Sequence, residues 1–93
     1  MLKKLSEETV AERLTMLTAW RREGDDIIRD WTFVDFNQAF GFLARVALLA
    51  EQADHHPEIY NVWNRVILKL TTHDANGLTH KDFDLASRID ALV

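Results

Sequence analysis

The chain has 93 residues, 47% of them hydrophobic, with 15 acidic against 11 basic side chains and a formal charge of -4. This length suits one small domain over 1–93 with a thin margin of stability, and the acidic balance without a Lys/Arg cluster excludes a polyanion-binding surface for nucleic acid. The absence of cysteine removes disulfides, thiolate metal sites and thiol nucleophiles, and no run reaches the ~20 apolar residues of a membrane span.

In chain order, Ser6 is a good N-cap with Glu7 and Glu8 in the first turn, and Leu5 and Val10 are placed as a hydrophobic staple. Val10, Leu14 and Leu17 continue the helical spacing, predicting a helix over about 7–18. The early polar turn at Ser6 argues against a signal peptide, so a soluble, cytoplasmic protein is expected. "WRREGDD" reads as a short strand entering a turn at Gly24. "IIRDWTF" follows as its partner, with Ile27, Trp31 and Phe33 on one face.

Asp35 caps the next helix, "FNQAFGFLARVALLAEQA". Phe36, Phe40, Leu43 and Ala47 make one apolar stripe, and Phe42, Val46 and Leu49 make a second, so two sides call for cover and the second cover is expected from another subunit. Pro57 cannot continue this helix and biases His56 away from helical angles. "EIYNVW" and the alternating Val66, Leu68 and Leu70 predict a second hairpin turning at Asn64-Arg65, with Tyr60 and Trp63 as core or cross-strand packing residues. Asn76-Gly77 marks a loop. Thr79 and Asp82 match a capping box for a last helix with Phe83, Ala86 and Ile89 facing inward and His80 facing water. The order α-ββ-α-ββ-α is an α+β fold, a four-stranded antiparallel sheet with helices packed on one face.

Polar chemistry gathers at two element ends. Glu51, Asp54, His55 and His56 close the long helix, in "ADHHPE", and Thr71, Thr72 and His73 close the last strand. Imidazole exchanges protons near neutrality, so histidines facing one cavity can serve as general acid and base. The spacing also fits a solvated surface pair, or a zinc site, although no His-x3-His pair is present for chelation. No nucleophile elbow, no serine near the histidines and no Gly-rich phosphate loop is present.

Glu51, His55-His56-Pro57, Trp63, His73 and Asp82, separated by three, five, nine and eight residues, form a pattern that resembles the signature of the pterin-4a-carbinolamine dehydratases. "DFNQAFGFLARVALLAE" is similar to the family's central helix and "GLTHKDFDLASRI" to its last, and the similarity runs from about Trp20 to the C-terminus. The resemblance implies dehydration of 4a-hydroxytetrahydropterin to quinonoid dihydropterin, in the recycling of the tetrahydropterin used by aromatic amino-acid hydroxylases, with no metal and no organic cofactor. It implies His55 and His73 as the acid–base pair and His56 chiefly as a holder of the pterin. Asp54, Thr71 and Thr72 match substrate-contacting segments. Glu51 and Asp82 match acidic positions that either orient an imidazole or bind the pterin's amino edge.

Two places depart from the animal members: Ile59 stands where an aromatic is expected, and the turn after Trp20 is shorter. In animals the fold also serves as a dimerisation cofactor for a homeodomain transcription factor, so a non-catalytic binding module is the alternative. A homodimer or homotetramer formed through the helix over about 35–53 is expected.

Overall fold

The computed structural model describes residues 2–93. Helix α1 (Glu7–Leu14) is capped by the Ser6 side chain, which accepts from the Thr9 amide. It stops short of the expected residue 18: the Thr15 hydroxyl donates to the Glu12 carbonyl, and Met16 and Leu17 bond three residues back, tightening the chain out of α geometry. That bend still buries Leu17 and Trp20.

Strands β1 (Arg21–Glu23) and β2 (Asp26–Thr32) form the first hairpin, and Gly24 supplies the positive φ of +60° that its turn needs. Helix α2 (Phe36–Ala53) begins at Asp35, whose carboxylate accepts from the Gln38 amide. β3 (Glu58–Val62) and β4 (Arg65–Leu70) form the second hairpin. Its turn falls at Trp63-Asn64, one residue earlier than the sequence suggests, with Trp63 in the left-handed region at φ 49°. Asn61 fixes this shift by donating to the carbonyls of Trp63 and Arg65, while Asn64 exchanges hydrogen bonds with the backbone of Phe33. A single 3₁₀ turn (His73–Ala75) leads to α3 (His80–Asp90), whose capping box between Thr79 and Asp82 is complete.

The sheet order is β1-β2-β4-β3, antiparallel throughout. Ile27 and Trp31 stand opposite Leu70 and Val66 on the face that meets Val10, Phe42, Val46, Phe83 and Ile89 from the three helices. The helices therefore lie on one face, as expected. Phe33 packs at the edge of this core, against the Phe42 ring at 5.0 Å.

Helix α2 buries Ala39, Phe42, Leu43, Val46 and Ala50, whereas Phe36, Phe40, Ala47 and Leu48 face outward. Of the first expected stripe, only Leu43 is covered by this chain. Tyr60 and Trp63 are likewise exposed, at 52% and 65%, rather than part of the core, because β3 is an edge strand and Trp63 stands at its turn. Among the described residues no helix is long and apolar enough to cross a membrane.

Candidate active site

The end of α2 sets the site. The helix stops at Ala53, before Pro57 can act, because Asp54 turns left-handed at φ 49° and its amide and that of His55 both bond back to Ala50. This reversal sends consecutive histidines in different directions. His55 turns inward and is 9% exposed, while the His56 side chain remains 57% exposed.

His55 Nε2–H donates to Asp82 Oδ1 at 2.5 Å, across from α2 to the first turn of α3. Asp82 is fully buried, and its Oδ2 accepts from the Thr72 hydroxyl at 2.8 Å and the Thr79 amide at 2.9 Å. Oδ2 already accepts two hydrogens, and facing the acceptor Oδ1 of the same carboxylate the Nε2 of His55 is assigned the ring hydrogen. That leaves Nδ1 of His55, which has no hydrogen-bond partner among the described residues, as the nitrogen that can exchange a proton. The Thr72 and Thr79 hydroxyls meet at 2.8 Å, so the buried polar atoms form one closed network.

Around His56 the arrangement is open. Its Nε2 meets Glu51 Oε1 at 2.6 Å, with both side chains largely in water. His73 starts the 3₁₀ turn, exposed and without a side-chain hydrogen bond among the described residues. The Thr72–Gly77 bridge closes the loop beneath it. Thr71 gives its hydroxyl hydrogen to the Asp25 carbonyl at 2.6 Å, tying the end of β4 to the β1–β2 turn and leaving the oxygen only as an acceptor.

These element ends converge on a cavity of about 320 Å³. Asp54, His55, His56, Thr71, Thr72 and His73, the residues singled out from the sequence, all line it. Glu51 and Asp82 do not; each stands behind one histidine. Three further lining residues escaped the sequence reading: Asp74, Lys81 and Leu2. Asp74 follows His73 directly and Lys81 precedes the capping Asp82, so adjacency to the motif was a usable signal for both. Lys81 Nζ also donates to the Asp54 carbonyl at 3.4 Å, so successive residues of α3 hold successive residues of the turn after α2. Leu2 carries no such signal. Among the described residues, no three His, Asp or Glu side chains group closely enough to hold a metal ion.

The family model for pterin 4 alpha carbinolamine dehydratase matches residues 3–92. A Roseiflexus sp. (strain RS-1) protein with the provisional name pterin-4-alpha-carbinolamine dehydratase is 48% identical over 93 residues, covering all of both chains. A Rhizorhabdus wittichii protein with the same provisional name is 50% identical over 94 residues, covering 99% of this chain and 97% of its own. Among solved structures, a transcriptional coactivator/pterin dehydratase from Brucella melitensis superposes with a TM-score of 0.94 at 41% identity, over 97% of this chain and 98% of its own. A pterin dehydratase-like RuBisCO assembly factor of the alpha-carboxysome shares the fold, with a TM-score of 0.66 at 24% identity over 78% of this chain and 84% of its own.

Fold and site together place the molecule in a class of small α+β proteins with a histidine-lined cavity between two helix ends and a strand end. More narrowly, the chain belongs to the pterin-4-alpha-carbinolamine dehydratase family. The similarity extends through α1, further toward the N-terminus than the motif residues alone indicate.

Proposed function

We propose that the protein dehydrates 4a-hydroxytetrahydropterin to quinonoid dihydropterin and water, with His55 and His73 as acid–base catalysts. The observation that carries this reading is the buried His55–Asp82 pair, which fixes Nε2 as a donor and frees Nδ1 beside a cavity holding two more imidazoles. The reaction breaks the C4a–O bond. A proton delivered to the 4a-hydroxyl lets it depart as water, and the N5 hydrogen passes to a base as the C4a=N5 bond forms. One imidazolium and one neutral imidazole complete this exchange, and protons balance.

His56, with Asp54, Thr71 and Thr72, holds the pterin. Asp82 acts through His55 by orienting its ring, a role favoured over direct binding of the amino edge because Asp82 is fully buried and does not line the cavity. Glu51 stands in the same relation to His56. A cytoplasmic setting beside an aromatic amino-acid hydroxylase would supply the substrate.

The test is dehydration of freshly generated 4a-hydroxytetrahydropterin, followed by absorbance, for the wild type and His55→Ala. Acceleration that collapses in a variant with unchanged circular dichroism supports the reading; a well-folded wild type without acceleration ends it.

A second reading draws on the outward face of α2, where Phe36, Phe40 and Leu48 are 49%, 57% and 66% exposed. An apolar stripe this open favours self-association through α2 into a dimer or tetramer. It would also serve a non-catalytic binding module, the role that the coactivator part of the Brucella relative's name describes for that protein. Sedimentation of Phe40→Glu tests the assembly: smaller species are expected, and an unchanged sedimentation profile excludes this face as the contact.

A further inference from the structure

Every side chain lining the histidine cavity is polar or charged except one, Leu2. A pterin is a flat conjugated bicycle. Its edges carry the hydrogen-bonding groups, and its two faces are apolar and gain by contact with hydrocarbon. We propose that Leu2 is a substrate-contacting residue that covers one face of the pterin ring, so that the chain from Leu2 to Leu5 forms a wall of the site. This proposal rests on the dehydratase reading for its substrate.

The segment is seated rather than adjacent by chance. The Leu5 amide donates to the Leu78 carbonyl at 2.8 Å, joining the chain before α1 to the loop after His73. Lys4 lies along Gly77: a Cβ built on Gly77 would meet Lys4 Cδ and Cε at 3.0 Å and Cγ at 3.1 Å. Gly77 is not among the glycines with positive φ, so its missing side chain leaves room for Lys4 rather than serving a turn. Gly77 in turn pairs with Thr72, whose hydroxyl belongs to the Asp82 network. Two anchors therefore hold the chain within three residues of Leu2, on the same loop that presents His73. Leu2 itself is half-buried, so its side chain has apolar surface left for a ligand to cover.

The experiment compares Leu2→Ala, Leu2→Asp and Leu2→Met with the wild type in the dehydration assay, alongside calorimetric binding of a tetrahydropterin and the thermal midpoint. Losing part of one apolar contact made equally in ground and transition states raises KM about 3- to 10-fold for Leu2→Ala, with kcat within about twofold. Leu2→Asp raises KM further, Leu2→Met restores it, and the thermal midpoints stay together. Binding moves in parallel. Unchanged KM and binding in both Leu2→Ala and Leu2→Asp would overturn the proposal. So would a fall in kcat that tracks a lower thermal midpoint, the mark of a purely structural role. If the wild type binds the pterin without turning over its carbinolamine, the dehydratase reading fails alone, and weaker binding by Leu2→Ala still upholds the wall. If the wild type binds no pterin, both fall.

Discussion

The two ends of β4 are built on opposite plans. At Leu70 the strand runs into Thr72, Thr79, Asp82 and His55, four buried polar residues that satisfy one another. At Arg65 it meets Trp63 and Val62, which are 65% and 56% exposed, and Val34, next in the chain to the Phe33 bonded to Asn64, is also open. A second cavity of about 610 Å³ lies toward this end, lined by Phe33, Asn37, Gln38, Gly41, Arg45 and Val93, and it contains no histidine. One end therefore hides polar atoms and the other displays apolar ones. The hidden network depends on each member, because a buried polar atom left alone costs far more than its bond contributes. The displayed residues support little of the fold and are available to other molecules.

The comparison can be broken most forcefully at His55. His55→Ala should lower kcat by about 10²–10⁴-fold while circular dichroism is retained, and a smaller loss in the carbinolamine assay would remove His55 from the chemistry. Next in size, Asp82→Ala strands the Thr72 hydroxyl, the Thr79 amide and His55 together. Chemical denaturation should show a loss of about 3 kcal/mol, and a loss below about 1 kcal/mol would mean the network is dispensable.

At the opposite end, Trp63→Gly relieves a bulky residue of its left-handed backbone and removes little burial. Stability should hold or rise by up to about 1 kcal/mol, read from the same denaturation curves. Glu51→Gln removes an exposed partner of His56, so stability should change by less than about 1 kcal/mol.

The smallest effect belongs to the outer face of the sheet. The Arg65 guanidinium, hydrogen-bonded to Asp30 and assisted by Arg21, holds the Asp30 carboxyl below its ordinary value, with partial burial acting the other way. A carboxyl lowered in the folded state contributes stability that is complete above its unfolded pKa, near pH 4. That contribution is lost as pH falls through the lower folded value. Because these groups are open to water, Asp30→Asn should flatten the acid limb of the stability profile by no more than about 0.5 kcal/mol.

Much of this contrast was legible in the sequence. Asp35, the Thr79–Asp82 box and the alternation of Val66, Leu68 and Leu70 each act within a few residues, so local physics places them. The long helix was legible too, but not its ending: a left-handed Asp54 outranked Pro57, and no propensity marks which aspartate will turn over. A left-handed Trp63 was equally hidden, since its conformation follows from hydrogen bonds made by Asn61 and Asn64. "DHH" and "TTH" were visible as polar ends, yet their meeting depends on α2 and α3 packing over the same sheet face; only the family resemblance anticipated it. Leu2 was beyond reach because its placement rests on Leu78 and Gly77, more than seventy residues away.

Asp82 answers to two masters, the first turn of α3 and the ring of His55. The Thr79 amide, held by the same carboxylate, thereby becomes a built-in reporter. Its rate of exchange with deuterated solvent should register what happens at the imidazole, so a backbone proton outside the cavity can be used to watch the site fill and empty.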